Sequence, residues 1–324
     1  MPPVGEVLVV EPGLLTTIQD DHGRPGLGRF GIPPGGALDP ATARLANQLV
    51  GNVGAAPVLE ITLHGPTLQW TNGAHIGLAG GDLGALSRGL RLAPGHSYRL
   101  QPGTTLAFDG VRTGARAYLA VEGGFAIEPV LGSVATDRRS GFGGLEGRAL
   151  RAGDVLRFPA SQTGPLRSAI GTVNVAEAPV LIIPTPAALG WFTRSEVDRL
   201  CATAWIVAPE SDRNGIRLTG ARLEALTDRL LSLGVPVGAV QVPPGGEPIV
   251  TMVDGPVTGG YPVIGLVPRL EHGRLAQVAP GSTLHFQRST VRAARRLADE
   301  RDAAAAGHAG IEFDEGDQAA GWAR

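Results

Sequence analysis

Short apolar runs separated by glycine- and proline-bearing turns organise the first half of the chain: EVLVV at 6–10, VLEITL at 58–63, HIGLA at 75–79 and ARAYLAV at 115–121. Runs this short, rich in β-branched residues and bounded by turn formers, predict strands. Between the first two lies a helical pattern: Asp39 in capping position, Pro40 at the first helical position, then Ala41, Leu45, Ala46, Leu49 and Val50 before Gly51. The second half repeats the style, with strands expected at 180–183, 204–208, 239–242, 248–253 and 262–267 and a short helix near 194–203. The stretch RSTVRAARRLADERDAAA at 289–306 predicts a terminal helix with a solvated, charged face, and the sequence beyond it reads as a frayed tail.

The fold class implied is mainly β, with two β-rich units and a few short helices. The polar, strand-poor stretch at 160–176 predicts a linker. Boundaries then fall at 1–165 for the N-terminal unit, 176–288 for the C-terminal unit and 289–324 for the terminal helix and flexible tail.

Composition narrows the chemistry. The 48 glycines and 26 prolines suit many tight turns. A formal charge of -2 provides no electrostatic footprint for nucleic acid or an anionic membrane. No apolar run approaches the roughly 18 residues that cross a bilayer, and no signal peptide opens the chain, so a cytoplasmic protein is expected. All 28 basic residues are arginine. Without lysine the chain can form no Schiff base, carries no Walker-type lysine and offers no biotin attachment point. The seven histidines show no ligand spacing and Cys201, the single cysteine, has no partner, so no metal site is expected; Cys201 reads as a small core residue. GLGRFG at 26–31 matches a dinucleotide motif by letter, but it neither follows a strand nor opens a helix.

Four glycine-rich, polar segments carry the candidate chemistry: 16–26 with 31–39, 130–137 with 142–150, 211–220, and 240–262. In them ALDPATARLANQLVGN, AYLAVEGGF leading to VLGSVATD, GGLEGRAL, SDRNGIRLTG and TGGYP occur in order, and together they resemble the allophanate-hydrolase-subunit-2, biotin-dependent carboxyltransferase-like family over residues 7–287. Three departures stand out: Asp21-His22 between QD and GR, Pro184-Thr185-Pro186, and Gly255-Pro256-Val257 before TGGYP. If the last three positions touch substrate, the substrate here differs from the family's.

The resemblance implies a cyclophilin-like β-barrel architecture and ATP- and Mg2+-dependent hydrolysis of the 5-oxo-L-proline lactam to L-glutamate, alongside a B-like, kinase-inhibitor-like subunit and an A-like, lactam-utilisation subunit. One alternative is the carboxyltransferase half of a biotin-dependent urea or amide carboxylase, with biotin on another polypeptide. Another is a non-catalytic regulator of a kinase-inhibitor-like partner. In the hydrolase reading Asp254, Arg213 and Asp20 are the candidate catalytic residues, and Gln19, Arg24, Asp137, Glu146, Gln241, Thr258 and Tyr261 the candidate substrate contacts. Arginine suits a carboxylate or phosphate because its guanidinium donates bidentately, and a carboxylate is a natural general base.

Overall fold

The computed structural model describes residues 4–53, 55–160, 164–169, 178–227, 230–307 and 311–313. The fold is mainly β and its sheets are built almost wholly from antiparallel pairs. Contacts divide the chain into two compact units, the first comprising Met1–Gly23, Pro40–Asn174 and Gly307–Arg324, the second Arg24–Asp39 and Val175–Ala306.

In the first unit one sheet orders Val155–Pro159, Val4–Glu11, Thr67–Trp70, Thr105–Phe108, Ala85–Ser87 and Leu90–Arg91. The other orders Leu15–Gln19, Val58–Thr62, Thr113–Val121, Ala74–Asp82, His96–Leu100, Arg167–Ala169 and Ile311–Phe313. Strand alternation sends Val7, Val9, Leu68, Trp70 and Phe158 of the first sheet and Ile18, Ile61, Ile76 and Leu119 of the second into a shared core. Trp70 and Phe158 meet edge to face at 5.2 Å, worth about 1 kcal/mol beyond the area they bury. The expected helix forms at Pro40–Leu49 and packs on the Ala74–Asp82 strand. The approach is so close that a β-carbon at Gly77 would lie 2.3 Å from the Ala46 carbonyl oxygen, so only glycine fits there.

In the second unit a six-stranded sheet runs Val263–Leu266, Ala239–Gln241, Ile249–Thr251, Gly215–Thr219, Trp205–Val207 and Thr283–Leu284. Its core gathers Trp205, Leu218, Val240, Val250 and Ile264, with Val197 and Leu200 from the helix Arg194–Ala202. Leu38 joins this core although it precedes the first unit's helix in sequence. Cys201 packs partly buried against the same core, and burial pushes its thiol up, away from nucleophilic use.

Several expectations change. The segment Arg24–Asp39 and the helix Val291–Gly307 up to Ala306 group with the second unit, not with the 1–165 unit or as a separate 289–324 appendage. Within the supposed linker, Arg167–Ala169 pairs antiparallel with Ile311–Phe313, so a strand stands where composition predicted none and part of the supposed tail is its partner. Residues 161–163 and 170–176 of that linker, and the tail beyond residue 313, lie outside the described residues. SDRNGIRLTG, read as a turn, becomes a strand from Gly215. GLGRFG closes as a single 3-10 turn, Gly28–Phe30. Among the described residues no helix is long and apolar enough to cross a membrane.

Two histidines make stability depend on pH. His75 is fully buried, with Nδ1 3.1 Å from Glu122 Oε2, and the half-buried His272 packs with Nε2 3.2 Å from the Val267 carbonyl. Burial holds both below the ordinary histidine value of 6.5 and outweighs the upward pull of Glu122 on His75 and of the Val267 carbonyl on His272. Because the unfolded chain takes up these protons first, stability is intact above pH 6.5 and falls as pH drops from there through the lowered folded values. Urea midpoints are expected to be level between pH 8 and 7 and to decline below about 6.5, and His75→Gln to flatten that slope. A midpoint that rises on acidification would overturn the assignment.

Candidate functional site

In the second unit the sequence Pro33-Pro34-Gly35-Gly36 turns the chain sharply: both glycines have positive φ, the Arg24 amide donates to the Pro34 carbonyl at 2.6 Å, and the Gly35 amide donates to Val253 at 2.9 Å. Opposite this turn, the Asp212 carboxylate accepts from the Asn214 and Gly215 amides, which fixes the bend that presents Arg213. The Asp254 amide donates to the Arg213 carbonyl, and the Met252 amide to the Asn214 carbonyl. The two backbones are thus locked before their side chains meet.

Those side chains form a bidentate pair. Arg213 Nε donates to Asp254 Oδ2 at 2.7 Å and Nη2 to Oδ1 at 3.0 Å, while Nη2 also reaches the Gly36 carbonyl at 2.6 Å. Arg213 is 3% exposed and Asp254 8%. A β-carbon at Gly35 would lie 3.8 Å from Arg24 Nη1 and 3.9 Å from Asp254 Oδ1, so the buried Arg24 faces the same turn. Arg24, Arg213 and Asp254 are therefore brought together around Gly35-Gly36. Both oxygens of Asp254 accept from Arg213, an arrangement suited to holding the Arg24–Asp39 segment in one shape rather than to taking a proton from substrate. Asp39, expected mainly as a helix cap, directs its carboxylate at Gly273, whose β-carbon position lies 3.0 Å from it.

The remaining candidates of this unit lie on the Ala239–Gln241 strand and on or just after the Thr258–Gly259 strand. Gln241, on the strand Ala239–Gln241, is buried with no hydrogen-bond partner for Nε2 among the described residues, and Nε2 lies 2.9 Å from the β-carbon position of Gly259. Thr258 pairs with Gly234 in a two-residue ribbon and is exposed, as is Tyr261 at its end. The departure at Gly255 has a packing reason, since a β-carbon there would lie 2.6 Å from the Asn214 carbonyl.

In the first unit Asp20 forms a second buried clamp. Its Oδ2 accepts from the Ser133 hydroxyl at 2.6 Å and the Val134 amide at 2.9 Å, and Oδ1 from the Gly23 amide at 2.7 Å. His22 lies 3.6 Å from Asp20 Oδ1. Gln19, fully buried, donates to Thr17 Oγ1 at 3.0 Å and the Thr136 carbonyl at 3.5 Å, and its Oε1 has no partner among the described residues. Asp137 uses Oδ1 to accept from the Arg139 and Ser140 amides, while Oδ2 is buried with no partner among the described residues. Gln19, Asp20 and Asp137 thus share one region. Glu146 does not join them: it is exposed and receives Arg148 Nε at 3.1 Å, while Arg148 itself grips Asp154 through two nitrogens.

Sequence reasoning missed Ser133 and the buried polar group of Glu60, Arg116 and Tyr118, in which the Tyr118 hydroxyl donates to Glu60 Oε2 at 3.0 Å. The signal was present: a glutamate in the middle of VLEITL and an arginine inside ARAYLAV are charges on strands that read as wholly buried. Among the described residues no group of three histidine, cysteine, aspartate or glutamate side chains gathers as a metal site.

Comparison with known proteins identifies the family. The profile of the family described as carboxyltransferase domain, subdomain A and B, matches residues 30–288. The C-type subunit of the Escherichia coli K12 5-oxoprolinase is 37% identical over 279 residues, covering 86% of this chain and 89% of its own. The urea amidolyase of Lachancea kluyveri is 30% identical over 325 aligned residues, 91% of this chain but 18% of the much longer relative. Among solved structures, TTHA0988 superposes with a TM-score of 0.79 at 37% identity, over 89% of this chain and 56% of that one. The urea amidolyase of K. lactis superposes with a TM-score of 0.83 at 28% identity, over 96% of this chain and 20% of that one.

Proposed function

This chain belongs to the carboxyltransferase domain, subdomain A and B, family, and from that premise we propose that it is the C-type subunit of an ATP-dependent 5-oxoprolinase, opening the 5-oxo-L-proline lactam to L-glutamate with B-like and A-like subunits. The observation that carries the reading is coverage. The chain aligns with nearly the whole of the Escherichia coli C-type 5-oxoprolinase subunit at 37% identity, but with under a fifth of the urea amidolyase. A second reading, the carboxyltransferase component of a biotin-dependent urea or amide carboxylase, is favoured by the fold match to the K. lactis enzyme.

An unstrained lactam resists hydrolysis, and phosphoryl transfer from ATP is the activation the reading supplies. The residues of this chain do not form a phosphate-binding loop: lysine is absent, and the glycine motif closes as a 3-10 turn instead of opening a helix. The reading therefore assigns ATP and Mg2+ to a partner subunit, and no step on this chain is routed through them.

What this chain contributes, in the proposal, is shape. Arg213 and Asp254 fix the Arg24–Asp39 segment, which places the Arg24 guanidinium beside the Gly35-Gly36 turn, and Asp20 fixes the Ser133–Asp137 segment beside Gln19. Such supporting bonds keep substrate-facing groups within the fraction of an ångström that catalysis demands. The test is reconstitution. Co-expressed A-like, B-like and present chains, given ATP, Mg2+ and 5-oxo-L-proline, are expected to release glutamate, and to release none when this chain is omitted. Well-folded, assembled subunits that release no glutamate would refute the proposal and turn attention to urea with a biotin carrier.

A further inference from the structure

A groove of about 530 Å3 opens on the second unit between the strand Gly215–Thr219 and the turn Pro243–Pro248. Its apolar floor comes from Ala208, Pro243, Pro248 and Ile249, and its charged walls from Glu210, Arg217 and Glu247. The placement follows from register. Ile216 and Leu218 point into the core, so Arg217 and Thr219 take the outer face, with Ile249 directly across from Arg217.

The three charged side chains are exposed, and none makes a hydrogen bond or ion pair with a described residue. Elsewhere on this chain exposed opposite charges find each other, as Arg157 does with Glu6 and Arg288 with Asp198. In the groove one guanidinium and two carboxylates share a wall without pairing.

We propose that this groove binds a basic α-amino acid of the L-arginine type. The α-carboxylate suits the two-pronged guanidinium of Arg217, and the α-ammonium and the side-chain cation suit the two glutamates. The methylene stem lies on the apolar floor of Ile249 and Pro243, as long charged side chains do on apolar surfaces. The lining sums to one negative charge (two carboxylates, one guanidinium), which a ligand of net charge +1 neutralises. The volume is within the range of small-molecule sites, roughly 300–1,000 Å3. This assignment is independent of the oxoprolinase reading.

The experiment is calorimetric titration of the full chain with three probes: L-arginine, agmatine, which lacks the carboxylate, and 5-guanidinopentanoate, which lacks the α-ammonium. L-Arginine is expected to bind with 1:1 saturation and each analogue at least about tenfold more weakly, since each loses one charge-assisted hydrogen-bonded contact. Arg217→Ala and Glu247→Gln, both at exposed positions, are each expected to weaken L-arginine by about tenfold or more while leaving the urea midpoint unchanged. No saturable binding at millimolar concentration, agmatine binding as tightly as L-arginine, or variants that bind like the parent would each overturn the proposal.

Discussion

Arg213→Ala is expected to lower the unfolding free energy of the protein by about 3–5 kcal/mol, the usual cost of leaving one member of a buried ion pair behind. Removing the guanidinium strips Asp254 of two donors and the Gly36 carbonyl of one, in a place only a few per cent exposed. Arg213→Lys is expected to rescue little, because an ammonium cannot serve two carboxylate oxygens and a carbonyl with the same fork. Replacing both partners, as in Arg213→Met with Asp254→Leu, should cost clearly less than the sum of the two single losses, because no buried charge is then stranded. Urea unfolding of Arg213→Ala, Arg213→Lys, the double variant and its two component singles measures each loss. Trypsin provides a local readout: Arg29 is exposed on the segment that the pair holds, and its cleavage should speed up in Arg213→Ala. A loss below about 1 kcal/mol with unchanged cleavage would mean that the pair does not hold the segment.

The second large effect belongs to Asp20. Asp20→Ala leaves the Ser133 hydroxyl and the Val134 and Gly23 amides without their acceptor, and hydrogen bonds to a charged group contribute about 1.5–3 kcal/mol each before relaxation. A net loss of about 3 kcal/mol or more is expected, with Asp20→Asn intermediate because it keeps one acceptor oxygen, and Ser133→Ala costing about 1 kcal/mol. In the reconstituted enzyme the same reasoning predicts that Asp20→Asn raises KM by a larger factor than it lowers kcat. A proton-transfer role would do the reverse, abolishing kcat while leaving the unfolding midpoint near that of the parent.

These two clamps show how far the sequence could be read. Asp20, Arg213 and Asp254 stood out because polar residues inside glycine-rich turns invite a ligand. The same turns equally permit two chain segments to approach closely enough for side chain to meet backbone. Sequence spacing does not distinguish the two uses, since Arg213 and Asp254 are 41 residues apart and Arg213 and Gly36 177. Gln19, Asp137 and Gln241 differ in kind: each keeps a buried polar atom without a partner among the described residues, a condition that no property of the sequence reveals.

By itself the sequence determined what depends on neighbours along the chain. Alternation and turn residues marked the strands at 58–62 and 115–121 and the helix from Pro40, and the absence of lysine excluded whole classes of chemistry. Only the tertiary structure decided that Arg24–Asp39 groups with the second unit, that Arg167–Ala169 is a strand, and that Asp254 gives both oxygens to Arg213. The physical reason is common to all three. Periodicity and turn propensity act over a few residues, whereas a strand partner or a buried ion pair is chosen by which distant surfaces can exclude water together, and that choice is made only when the chain folds.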